Sequence, residues 1–171
     1  VATAPGAFTD PAIPKGFAPY GIQAIQGDIY VSYAKQDPSR TREVFGKGLG
    51  FVDAYGPNGK LLRRVAAGGD LNAPWGMALA PAGFGVFAND LIVGNFGDGT
   101  LNAYEPVLGL PLGNLHDAQD HAIHIDGLWG IAFGNGYQNQ QVNSLFFAAG
   151  PKGGSHGLYG RLDVDGNGAG N

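Results

Sequence analysis

Four sets of side chains in this 171-residue chain have types and spacing that could do chemistry. Asp163-Val164-Asp165-Gly166-Asn167-Gly168 opens like a calcium loop, with side-chain oxygens at positions 1, 3 and 5 and glycine at 6. The bidentate Glu that such a loop needs at position 12 is absent. His116, Asp117, His121, His124 and Asp126 place three His and two Asp within eleven residues, a composition suited to zinc. Their spacing does not fit a pair of ligands on one helix, and His121 and His124 alternate poorly for one strand face. A solvated loop explains them better. Tyr20, Trp75 and Trp129 could form a stacking platform for sugars or bases. Asn72, Asn95 and Asp126 supply amide and carboxylate oxygens of the kind that hold a divalent cation such as calcium. His156 stands alone beside Gly154, Ser155 and Gly157 and reads as a loop residue. No Ser-His-Asp set, Gly-x-Ser-x-Gly elbow or phosphate loop is present. Asn95-Phe96-Gly97-Asp98-Gly99 is glycine-rich but joins two strands, so no helix N-terminus backs it.

The elements that must position these residues come from an internal repeat. Pro19-Tyr20-Gly21-Ile22, Pro74-Trp75-Gly76-Met77 and Leu128-Trp129-Gly130-Ile131 carry glycines 55 and then 54 residues apart. Asp28-Ile29-Tyr30-Val31, Asp90-Leu91-Ile92-Val93 and Ser144-Leu145-Phe146-Phe147 follow in turn. Then come Gly50-Phe51-Val52-Asp53-Ala54-Tyr55, Gly99-Thr100-Leu101-Asn102-Ala103-Tyr104 and Gly157-Leu158-Tyr159-Gly160-Arg161-Leu162. Each stretch is short, β-branched or aromatic, and bounded by Gly, Pro, Asn or Asp, which are strand signals. The first unit then has strand A around Gly21-Ile25, B around Ile29-Ala34, C around Gly50-Tyr55 and D around Lys60-Val65. Gly56-Pro57-Asn58-Gly59 forms the C–D hairpin turn. Four-stranded repeats of this length are propeller blades.

The predicted fold is therefore all-β: a β-propeller of three four-stranded blades, the last lacking a strand, forming half of a six-bladed ring. Residues 1–17 lead into the blades, which span 18–72, 73–126 and 127–171. The repeat recasts two of the candidate sites. Asp163 to Gly168 falls where the third C–D turn belongs, and the three aromatic rings become wedge packing between blades. It also puts Phe17, Asn72 and Asp126 in equivalent places at the mouth of a central channel, with Asn95 nearby. There the cation reading competes with a plainer one, in which these side chains satisfy the backbone of the loop entering strand A. Blades that leave strand edges open need a partner. The remaining blades are expected from a second polypeptide or a second copy of this chain.

Composition limits the function classes. Apolar residues make up 44% and charged residues 14%, which suits a packed core. Thirty-one glycines and eleven prolines suit many tight turns. A net charge of −4, with ten scattered Lys and Arg, argues against nucleic acid. No apolar run reaches the roughly 20 residues of a membrane span. The absence of Cys removes thiolate and disulfide chemistry. The chain opens at Val1 without a signal-peptide pattern and is expected to be a mature or cleaved product.

Leu79-Ala80-Pro81-Ala82-Gly83-Phe84-Gly85, Leu91 to Gly99 and Ile125-Asp126-Gly127-Leu128-Trp129-Gly130-Ile131-Ala132-Phe133-Gly134-Asn135-Gly136 resemble a family of secreted, functionally uncharacterised propellers. Many of its bacterial members carry a C-terminal PEP-CTERM sorting signal, and they are similar in turn to NHL-repeat propellers. The resemblance runs from Phe8-Thr9-Asp10-Pro11 to about Leu162 and matches the C-terminal half of members about twice this length. It departs from the family at His116 to His124, where an Asn-Gly turn is expected, and at the tail, which lacks the sorting signal. It implies the propeller fold and an extracytoplasmic location, and no activity. The function expected is a non-catalytic secreted binding or scaffold propeller. The alternatives are a metal-dependent NHL-like hydrolase or lyase with a divalent cation in the channel, and a carbohydrate-binding propeller.

Overall fold

The computed structural model describes residues 3–164. Eleven strands form three antiparallel sheets among them, and the only helical element is a 3₁₀ turn at Gly85–Phe87. Sheet 1 contains β1 (Phe17–Ile25), β2 (Asp28–Lys35), β3 (Gly50–Tyr55) and β4 (Leu61–Ala67). Sheet 2 contains β5 (Pro74–Leu79), β6 (Leu91–Asn95), β7 (Leu101–Tyr104) and β8 (Pro111–Asn114). Sheet 3 contains β9 (Leu128–Phe133), β10 (Leu145–Ala149) and β11 (Leu158–Leu162). Each strand pairs with the next in sequence, so every sheet is a meander. No closed ring forms among the described residues.

Local chemistry explains the turns. At Gly56 to Gly59, Asn58 Oδ1 accepts from the Lys60 amide at 3.1 Å, and Gly59 takes φ +81°. Strand starts differ from the sequence expectation. β1 begins at Phe17, four residues before Gly21, and Tyr20 is bulged out of its ladder. β4 runs two residues beyond Val65. The first paired residue of each leading strand is Phe17, Pro74 or Leu128. By backbone pairing Pro19, Pro74 and Leu128 are equivalent, opposite Tyr33, Asn95 and Ala149, so Phe17 holds the place of Asn72 and Asp126, inside a β1 that starts earlier than β5 and β9.

The sheets stack through their leading strands, β1 on β5 and β5 on β9. One core cluster, with Val52, Val65, Leu71, Met77, Leu91 and Val93, fills the space between sheets 1 and 2. A second, with Ile92, Leu101, Ile125, Leu128, Ile131 and Leu145, fills that between sheets 2 and 3. Sheet 2 has a sheet against each face, and its β6 is a nearly continuous apolar run buried along its whole length. Glycine makes the close stacking possible. A Cβ on Gly21 would collide with the Trp75 carbonyl oxygen, and one on Gly76 would stand 2.6 Å from the Trp129 carbonyl oxygen. At these points the backbone of one leading strand lies directly on the next.

Candidate functional site

The best-developed polar network lies where β5 leaves the connection from sheet 1. Asn72 and Asn95 are both buried and hydrogen-bonded to each other, the Asn72 amide donating to Asn95 Oδ1 at 3.0 Å. Asn95 Nδ2 donates to the Asp70 carbonyl (2.8 Å) and to Thr100 Oγ1 (3.0 Å). Asn72 Oδ1 accepts from the Gly46 amide at 2.7 Å, and its Nδ2 donates to Asp98 Oδ2 at 2.9 Å. Asp98 Oδ1 in turn accepts from the Thr100 hydroxyl and amide. Gly97 is required beside them, since a Cβ there would strike the Asn72 side chain. Ala73 is held at φ +46° while its carbonyl accepts from the Phe96 amide at 3.0 Å.

Both carboxamide oxygens therefore point at amide hydrogens, and the network binds three chain segments together. Asp126 does not join it. It repeats the arrangement one sheet along: its Oδ2 accepts from the Lys152 amide at 2.9 Å, Gly127 takes φ +65°, and the Gly127 carbonyl accepts from Gly150 at 2.8 Å. A latch between neighbouring chain segments is the chemistry this geometry does. Replacing Asn95 by Ala strips partners from the buried Asn72 amide and the Asp70 carbonyl, at about 1–3 kcal/mol per unmet group. Asn95→Ala should lower the denaturation midpoint with or without calcium. A calcium-dependent difference between wild type and variant would contradict the latch.

The other candidates are spread out. Asp163 accepts from the Ser144 hydroxyl and pairs with Arg161 Nε at 2.9 Å. Asp165 and Asn167 lie outside the described residues. His116 and His121 occupy an exposed turn closed by the bridge between His116 and Ala122, while His124 forms a separate bridge with Thr100. His116 Nδ1 contacts Asp120 at 2.7 Å, and His121 Nδ1 lies 3.5 Å from Asp117. Asp117 Oδ1 accepts from the His121 and Gln119 amides, and the first of these does most to hold its carboxyl below the usual range. His124 Nδ1 turns instead to the Asp98 carbonyl at 3.2 Å, and His156 Nδ1 to Ser155. No three His, Asp or Glu among the described residues group as metal ligands.

The repeated aromatics divide. Tyr20 packs edge-on against Trp75 across the sheet 1–sheet 2 boundary, at 4.7 Å between ring centres. Burial above all, then the neighbouring Glu43 charge, drives the Tyr20 hydroxyl pKa far up. Trp129 lies over Gly150 of its own sheet, where a Cβ would stand 2.5 Å from the indole. Phe45 and Phe96 extend the cluster, with Phe96 6.1 Å from Trp75 and 5.6 Å from Phe45. These two were not legible as site residues, because Phe45 and Phe96 sit in connections outside the repeated motifs. Phe45 is 54% exposed and Trp75 and Trp129 each 37%, so one rim presents aromatic surface.

A buried charge cluster was also missed. Asp53, fully buried in β3, lies opposite Arg64 of β4 and accepts from its Nε at 2.7 Å. Arg64 also pairs with Asp10 and lies over the Phe51 ring, 4.8 Å from its centre. The Tyr33 and Tyr55 hydroxyls meet at 2.6 Å, and Tyr55 reaches Asp53 at 3.4 Å. Burial pushes the Asp53 carboxyl up and Arg64 pulls it back. The available signal was Asp53 itself, a lone acid inside an apolar strand.

Among known proteins the chain is similar to three uncharacterized proteins of Acanthamoeba polyphaga mimivirus. One is 39% identical over 120 residues, covering 70% of this chain and 22% of the viral protein. The second is 32% identical over 161 residues, covering 94% of this chain and 39% of the relative. The third is 33% identical over 168 residues, covering 92% and 41%. The chain thus spans less than half the length of the relatives it matches. No known protein-family profile matches it.

Proposed function

We propose that this chain is three consecutive units of a β-propeller and serves as a non-catalytic binding or scaffold surface. The observation that carries this reading is the repeat of one stacking contact. Gly21 and Gly76 stand at the same place in successive sheets, and each receives the backbone of the next leading strand. Sheets that stack through their first strands by one repeated step suit radial repetition around an axis. A metal-dependent hydrolase has less support, because the channel amides are committed to backbone and side-chain partners. An experimental structure of an intact long relative should place its sheets around a common axis. Two sheets packed face to face as a sandwich would overturn the fold reading. Lactone and ester substrates offered with calcium should not be turned over. Turnover that EDTA abolishes would reverse the functional reading.

The exposed rim aromatics favour a second reading of what is bound. Phe45, Trp75 and Trp129 offer ring area beside the polar groups of Glu43 and Asp98, the mixture that suits a sugar face. Silence on a glycan array at high protein concentration would remove it. An extracytoplasmic location accompanies the propeller reading through the family resemblance alone, and recovery of the native protein only from cytoplasm would refute it.

A further inference from the structure

The two ends of the three-sheet stack carry complementary halves of the internal interface. On sheet 3, Gly130 is the equivalent of Gly21 and Gly76, yet a Cβ there would meet nothing within 4 Å. A second glycine series shows the same break. A Cβ on Gly50 would stand 2.5 Å from Pro74, and one on Gly99 would collide with the Ile125 carbonyl, whereas Gly157 faces open space. Strand pairing makes Val52, Leu101 and Tyr159 equivalent, opposite Ser32, Gly94 and Ala148. Val52 and Leu101 are 0% exposed and Tyr159 is 70% exposed.

Sheet 1 shows the converse. Ile22, Met77 and Ile131 are equivalent by pairing with Val31, Val93 and Phe147. Met77 and Ile131 are buried against the preceding sheet, at 2% and 6% exposure, while Ile22 is 71% exposed. Beside it lies an apolar cleft of about 300 Å³ lined by Phe8, Pro19, Tyr20, Ile22, Val31 and Tyr33. In the sheet 1–sheet 2 interface, Val52 shares one cluster with Met77 and Val93, the equivalents of Ile22 and Val31. The exposed Tyr159 ring is thus the side chain that this apolar cleft would receive.

The N-terminal segment completes the match. A Cβ on Gly109 would collide with the Val65 carbonyl of β4, and one on Gly59 would stand 2.6 Å from Ala7 and 2.9 Å from Phe8. The Phe8 amide donates to the Gly59 carbonyl at 2.7 Å, and its ring packs on Tyr55 at 5.6 Å. Ala7 and Phe8 therefore stand on sheet 1 where β4, the outer strand of sheet 1, stands on sheet 2. Sheet 3 has no fourth strand among the described residues, and a cleft of about 690 Å³ runs beside Arg161 to Val164.

We propose that the free face of sheet 3 binds the free face of sheet 1 in a second copy of this chain. The contact is reciprocal, so two copies make one ring of six sheets, and Ala7–Phe8 of each lies along β11 of the other as the missing fourth strand. The Tyr20 carbonyl of one copy then lies over Gly130 of the other, as that of Trp75 lies over Gly21. This rests on the propeller reading. The viral relatives, more than twice as long as the stretch they share with this chain, have room for such a second set of sheets in one polypeptide.

Native mass spectrometry and sedimentation of the 171-residue chain test it. The expected result is a species of twice 17.6 kDa. A Cβ at Gly130 meets nothing within 4 Å in its own chain, so Gly130→Ala should leave the circular dichroism and melting of the monomer unchanged. It should weaken association by at least about tenfold in Kd. The chain has no cysteine, so Ala7→Cys and Arg161→Cys in separate copies, mixed and oxidised, report the strand contact directly. An inter-copy disulfide is expected. A folded monomer at high micromolar concentration overturns the second copy as occupant. It leaves the propeller reading standing, because further sheets of a longer chain would then take the same faces.

Discussion

Arg64→Leu should destabilise the protein by about 3–5 kcal/mol, because it leaves buried carboxylate without its counter-charge. Asp53 has no exposed surface, and the Asp10 side chain is only 5% exposed. Arg64 is the cation that faces both. The loss should depend on pH in a defined direction. Burial already raises the Asp53 pKa, and removing Arg64 deletes the main opposing influence. The folded variant then holds a proton on Asp53 at a pH where the unfolded chain has released it. Between the ordinary carboxylate pKa and the raised one, the folded state binds more protons, so its stability falls as pH rises. Urea midpoints for Arg64→Leu should therefore improve on moving from pH 7 to pH 5, narrowing the gap to wild type. A gap that widens on acidification would show that the buried acid is not the cause. The double variant Arg64→Leu with Asp53→Leu should recover much of the loss, since replacing a buried pair by apolar groups is often neutral.

Gly21→Ala is the second large effect. Its added Cβ would collide with the Trp75 carbonyl oxygen, a backbone atom that cannot rotate away, and would crowd Ser32 Oγ at 2.8 Å. Overpacking of this kind costs about 1–3 kcal/mol and more where backbone must shift. Gly130→Ala, at the equivalent position of sheet 3, adds the same methyl to open space and should shift the midpoint of the isolated chain by no more than about 0.5 kcal/mol. Chemical denaturation of the two variants side by side is the measurement. Equal losses would mean that glycine serves strand conformation at both positions and that the stacking contact does not explain it. The contrast is clean because neither Gly21 nor Gly130 has a positive φ, so backbone strain does not separate them.

Much of the strand framework was legible before any coordinates. The spacing of Gly21, Gly76 and Gly130 located the three leading strands, and Asn58-Gly59 marked its hairpin turn, because turn chemistry and side-chain alternation are local. The same periodicity placed Asn72 and Asp126 at equivalent points, as their matched latches on Phe96–Asp98 and Gly150–Lys152 bear out. It also put Phe17 in the same place, and the pairing agrees, because the irregularity after Pro19 recurs after Pro74 and Leu128 and leaves the three registers matched.

What only the tertiary structure decided was which oxygen meets which donor and which face is covered. Asn72 and Asn95 are 23 residues apart, and no local rule says that one amide closes on the other. Asp10 and Arg64 meet across 54 residues for the same reason. Val52, Leu101 and Tyr159 belong to one repeated motif, yet two are buried and one is bare, because burial depends on whether another sheet lies over the position. Strand identity is written in neighbouring residues and so can be read from them. Contacts between sheets depend on how the whole chain stacks, and they distinguish the latch at Asn72 from a metal site and the open face at Gly130 from a finished surface.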